Sequence, residues 1–265
     1  MKNLCLSAVA TLAVLLVLPA MAAANDVYAS PVGSGDECSK AAPCSLEKVG
    51  QVVSSGGKIH IGPGQYGSPA SPLPYRLYTT APDARFFGDP EATLYIDSTS
   101  TDSSVSLTDN QQIHGNGMRI HSFDPDGLTL YGNTVADRVW VRTTMDDSTA
   151  CAIRQAGTAT GGTFFNTVCV ADTNSGGKGL FFHATANDGI GNARGVTGVA
   201  TGTGSVGIGV ENTGLGGGGM SSSSDMFVYG SLANSTGAGS LDFSSVNDSA
   251  LNRACLVVFL SLIHI

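Results

Sequence analysis

The feature that most constrains this chain of 265 residues is a short apolar unit that returns along its length. Val105 and Leu107 flank a serine, Leu128 and Leu130 a threonine, Cys151 and Ile153 an alanine. The same spacing recurs at Leu180 and Phe182, at Ile208 and Val210, and at Leu241 and Phe243. Apolar residues at i and i+2 mark a strand with one buried face. The first two steps are 23 residues and the later ones 29, 28 and 33, with inserted loops such as Gly216 to Ser224 absorbing the extra length. A turn former follows most copies: Asn110, Asn133, Asn187, Asn212 and Asn247. Asparagine tolerates left-handed backbone, and stacked asparagines can pair their amides. A second apolar pair comes after the turn, in Met118 with Ile120, Val139 with Val141, and Val168 with Val170. One such unit cannot bury its inner face alone, so neighbours must stack into a parallel β-solenoid.

Composition agrees. Glycine takes 35 of 265 positions, about twice its ordinary ~7%, and charged residues stand at 13% against a usual ~25%. That balance describes many tight turns and few charged helices. Apolar residues at 42% are too many for a disordered chain. The net charge is −8 with no basic run, so a nucleic-acid partner has no electrostatic footprint. An anionic polysaccharide would need local positive charge or a bridging cation.

The two ends read differently from the middle. Met1-Lys2-Asn3, an apolar run from Leu4 to Leu18, and the small residues Pro19 to Ala24 follow the order of a secretory signal peptide. The run is shorter than the roughly 20 apolar residues that span a bilayer. Residues 1–24 are therefore expected to leave, giving a secreted or cell-surface protein that starts near Asn25 and has no membrane span. In such a compartment Cys38 and Cys44 are expected to form a disulfide. Cys151 and Cys169 either pair or line the core as small apolar residues, and Cys255 is left over. Residues 256–265 are apolar without alternation or a cap. Ser261 to Ile265 resembles translated adapter sequence, so this doubtful tail is expected to reflect a truncated gene.

The N-terminal block carries a family resemblance. Val27 to Gly35 resembles the opening strand and loop of right-handed β-helix proteins, Ala42 to Val49 their short closing helix, and Gly57 to Tyr66 their first full strand and turn. On these residues the chain is similar to the pectin-lyase-like family. The resemblance implies an all-β, single-domain right-handed parallel β-helix, with a cap and first coil over 25–66 and further coils over 67–255. Ser45 suits a helix N-cap, and Leu46, Val49 and Val53 give that helix one apolar stripe. Such a stripe covers strand edges that would otherwise lie open. The fold hosts lyases, hydrolases, esterases, adhesins and structural proteins, so it names no activity.

Candidate chemistry centres on acidic turns. Asp124, Asp126, Asp146, Asp147 and Asp172 follow the second apolar pair of successive units. Stacked about 4.8 Å apart, their carboxylates would form a column suited to Ca²⁺. The resemblance adds that polyuronate lyases of this fold use calcium to bridge enzyme and acidic sugar. Arg142 and Arg154 lie near enough in sequence to bind a carboxylate or take a proton. Turn capping accounts for the same aspartates. Asp146 and Asp147 could also be the paired acids of a glycoside hydrolase, but the Arg-x-Lys and His-Gly motifs of such enzymes are missing beyond His114-Gly115. His60 and His121 alternate with isoleucines, as outward strand residues do. Trp140, Phe164, Phe165, Phe181 and Phe182 would stack sugar rings wherever they face outward. Gly202 to Gly207 matches G-x-G-x-x-G only by letters, with no helix after it. The leading expectation is a non-catalytic glycan-binding protein, adhesin or scaffold. The alternative is a calcium-dependent polysaccharide lyase, or less so a glycoside hydrolase, acting on an acidic polysaccharide.

Overall fold

The computed structural model describes residues 24–98, 103–155, 160–184, 190–212 and 225–247. The leader through residue 23, Asn187, the 216–224 loop, Cys255 and the 256–265 tail lie outside the described residues. Among the described residues the strands form three all-parallel sheets of eight, seven and six strands, with one α-helix. The chain is all-β, in an arrangement consistent with a parallel β-solenoid.

The sequence repeat is the sheet register. Gln112–His114 lies in the first sheet, Arg119–Ser122 in the second and Asp126–Tyr131 in the third. The next pass, Val135–Asp137, Trp140–Thr143 and Thr149–Gln155, pairs with these strands one for one. In the third sheet Val105, Leu128, Cys151, Leu180 and Ile208 therefore stand side by side. Inward residues of all three sheets share one buried cluster. Burying each large aliphatic or aromatic side chain there contributes roughly 1.5–3 kcal/mol. Outside, stacking continues: Asn133 Nδ2 donates to Asn110 Oδ1 at 3.2 Å. On the outer face of the first sheet Tyr28, His60, Phe87 and His114 stack with ring centroids 4.5, 5.6 and 5.4 Å apart.

The helix is Leu46–Val52, and the Ser45 hydroxyl accepts from the Lys48 amide at 3.2 Å. Its buried Leu46 and Val49 pack on the strand Asp26–Ala29, which ends the first sheet. A polar-capped helix with an apolar underside thus covers that region of the sheet, as the Ser45 to Val53 pattern predicts.

Two disulfides close the fold. Cys38–Cys44 forms with an S–S distance of 2.06 Å. Cys151 and Cys169, left open by the sequence, are joined at 2.08 Å and tie the strand Thr149–Gln155 of the third sheet to Val168–Ser175 of the second. Two such bonds fit an oxidising compartment. No helix among the described residues is long and apolar enough to cross a membrane.

One expectation is corrected. Val168 and Val170 do not point inward as Val139 and Val141 do. Trp140 pairs with Val168 and Arg142 with Val170, so both valines lie on the outer face, and Cys169 and Ala171 fill the core. The corner is two residues long in both passes, Arg138-Val139 and Asn166-Thr167, so buried Thr167 takes the inward place of Val139 and the two valines fall one position later, on the outer face. Arg138, Asn166 and Gly195 hold φ of 53°, 46° and 63° at successive corners, a region that asparagine and glycine enter at least cost.

Candidate functional site

Register along the third sheet arranges side chains in columns. Asp126, Thr149 and Lys178 form one column, and Tyr131, Arg154, His183 and Glu211 another. A carboxylate, a guanidinium, an imidazole and an ammonium thereby share one face. Arg154 donates from Nε at 2.9 Å and Nη2 at 2.6 Å to Asp126 Oδ2. The Asp126 side chain is only 5% exposed. Burial pushes its carboxyl above the usual range, although Arg154 and the hydroxyls of Thr129 and Thr149 pull it down. Lys178 Nζ sits 4.2 Å from the centroid of the Phe181 ring, a cation–π contact. Burial also lowers the His183 pKa, against the pull of Glu211 and with the aid of Arg154 and Lys178.

Beside this cluster a cleft of about 420 Å³ opens, lined by Arg76, Tyr78, Tyr131 and Arg154 with the hydroxyls of Ser106 and Thr108. Arg76 lies over the Tyr78 ring at 4.5 Å. It comes from a segment docked along the third sheet by Leu77, whose amide donates to Ser104 O at 2.8 Å. Tyrosine rings offer stacking faces and the guanidiniums and hydroxyls offer hydrogen bonds, which is the chemistry a polyhydroxylated ring demands.

The remaining residues singled out from sequence are dispersed. Asp124 is buried between the second and third sheets, accepting from Ser98 N and Oγ, both at 3.0 Å, and from Ser104 Oγ at 2.6 Å. Asp146 and Asp147 follow the second-sheet strand Trp140–Thr143. Asp146 Oδ1 accepts from Asn174 N at 2.7 Å, and the Asp147 amide donates to Ser175 O at 2.9 Å. Asp172 lies on the outer face of the second sheet, bonded by Arg142 and by Thr201 Oγ1 at 3.1 Å. Asp126 with Arg154 and Asp172 with Arg142 are thus brought together as pairs. The five aspartates are not brought into one cage, and no three His, Cys, Asp or Glu side chains among the described residues are grouped to hold a metal ion. Of the phenylalanines, Phe164 and Phe182 are core, while Phe165 and Phe181 are half-buried outside it.

His183, Lys178 and Glu211 were not picked out from sequence, yet a signal existed. Arg154 to His183 is 29 residues and His183 to Glu211 is 28, the same steps as the apolar repeat. Reading the polar positions at the repeat spacing aligns them. Arg76 precedes the repeat and has no such signal.

Compared with known protein families, curated proteins and solved structures, the chain gives no match.

Proposed function

We propose that this chain is an exported right-handed β-helix of the pectin-lyase-like kind that binds a polysaccharide without cleaving it. Handedness follows from a general rule: crossovers between parallel strands of one sheet are right-handed in about 98% of cases. Export follows from the leader pattern of residues 1–24 together with the two disulfides. The observation that carries the binding function is the third-sheet cleft, with Tyr78, Tyr131, Arg76 and Arg154 around one hollow. Binding is favoured over cleavage because the nearest buried carboxylate, Asp126, is already held by two bonds from Arg154.

The test is calorimetry of the secreted chain against neutral and acidic polysaccharides, with chain length of the glycan followed in parallel. Saturable binding that weakens up to about tenfold in Tyr131→Ala supports the reading, since one lost aromatic stacking contact is worth roughly 0.5–1.5 kcal/mol. Shortening of the glycan, with or without added calcium, would replace it with the lyase or hydrolase reading.

A further inference from the structure

A second polar site stands on a different face. The strands Arg119–Ser122 and Trp140–Thr143 of the second sheet pair with Arg119 beside Trp140 and His121 beside Arg142. Ile120 and Val141 between them are fully buried, so these four side chains form a square on the outer face. Neighbouring strands lie about 4.8 Å apart and alternate residues about 6.6 Å, dimensions close to one pyranose ring. Tyr95 from the preceding strand stacks on His121 with centroids 4.6 Å apart, and His121 meets Trp140 at 5.1 Å. These contacts hold the aromatic diagonal of the square in place. At the corner beside it a groove of about 650 Å³ opens, lined by Arg119, Arg138, Trp140, Asn116 and Asn166.

The charge balance here runs against that of the whole chain, which is −8. Arg142 is bonded to Asp172 and Arg138 donates from Nε to Asp137 Oδ2 at 2.9 Å. Arg119 has no carboxylate partner among the described residues. Three guanidiniums face two carboxylates, leaving one cation uncompensated next to an indole. A guanidinium fork recognises a planar or tetrahedral oxyanion by paired hydrogen bonds, and an indole face covers the apolar side of a sugar ring.

We infer that the Arg119, His121, Trp140 and Arg142 square with its adjoining groove binds an acid-bearing sugar unit, its ring on Trp140 and its oxyanion on Arg119. The assignment deepens the polysaccharide-binding reading by naming an anionic glycan, and it uses a face separate from the third-sheet cleft.

Trp140 is the only tryptophan in the chain, so its emission reports on this groove alone. The experiment titrates the whole secreted chain with a carboxylated, a sulfated and a neutral oligosaccharide of equal length. Tryptophan emission and calorimetry are followed together, for wild type and Arg119→Gln. The expected result is a saturable emission change with one or both acidic sugars and none with the neutral one. Affinity should fall at least tenfold in Arg119→Gln and weaken with salt. The stronger of the two acidic responses identifies carboxylate or sulfate as the group recognised. Calorimetric binding with silent Trp140 emission, or an emission change untouched by Arg119→Gln, would overturn the square while leaving the cleft standing. No binding of any of the three would sink both.

Discussion

The outer faces of the second and third sheets carry the same chemical pair in opposite settings. Arg142–Asp172 lies where the Asp172 side chain is 43% exposed, and Arg154–Asp126 where the Asp126 side chain is 5% exposed. On the second sheet the Arg142 bond dominates and the Asp172 carboxyl is held below its ordinary range. On the third sheet burial dominates and the Asp126 carboxyl is driven above it. The partner is the same; solvent access decides the sign. An exposed ion pair is screened and stabilises little, and taking a pair out of water can cost more than the attraction returns. The second-sheet face therefore keeps both charges of its pair in contact with solvent, while the third-sheet face shields Asp126 and leaves Arg154 half exposed.

The largest expected effect probes the buried member. Arg154→Met leaves Asp126 without its cation, and urea unfolding at pH 7 should show a loss of about 3 kcal/mol. The loss should shrink at pH 4, where Asp126 takes up a proton. An equal loss at both pH values would mean that Asp126 is not held out of water.

Next comes the bond that ties the two faces together. Replacing Cys151 and Cys169 by Ser removes the link between the strand bearing Arg154 and the strand bearing Asp172. A closed loop of this size is worth about 3 kcal/mol in the chain-entropy account. The same denaturation measurement checks it, and an unchanged midpoint would show that stacking alone holds the strands.

The comparison is sharpest in pH dependence. Asp172, with its folded pKa depressed, contributes stability that is present above the unfolded carboxylate range and lost as pH falls through the depressed folded value. Asp126, with its folded pKa raised, contributes stability that is present below the unfolded range and lost as pH rises through the raised folded value. Stability profiles of Asp172→Asn and Asp126→Asn between pH 2 and about 7 should therefore deviate from wild type with opposite slopes. Slopes of the same sign would dissolve the distinction between the faces. The smallest effect is that of Arg142→Ala, expected to cost under about 1 kcal/mol because the pair is exposed and screened. A loss matching that of Arg154→Met would break the comparison outright.

How much of this was legible follows the chain's own periodicities. Ser45, Leu46 and Val49 announced a capped, one-sided helix because capping and amphipathicity are local. Val105, Leu128, Cys151, Leu180 and Ile208 announced the third sheet because a repeat spacing becomes a strand register. Val168 and Val170 misled, since the inward place held by Val139 one pass earlier is taken by the polar Thr167, and the apolar pair stands one position too late to face inward. The acidic turns misled differently. Asp124, Asp126 and Asp172 share a position in the sequence pattern, yet one is buried between sheets and the other two face outward from different sheets.

Composition, leader pattern and the apolar repeat determined by themselves that this chain makes stacked parallel strands with polar side chains outside. They could do so because alternation and repeat length act between residues a known distance apart along the chain. Only the tertiary structure decided that Arg119 meets Trp140, that Arg154 closes on Asp126, that Arg76 reaches the third-sheet face, and that Cys151 bonds Cys169. Those contacts depend on how many residues each corner consumes. A change of one or two residues there shifts which side chains become neighbours, leaving the strand pattern itself untouched.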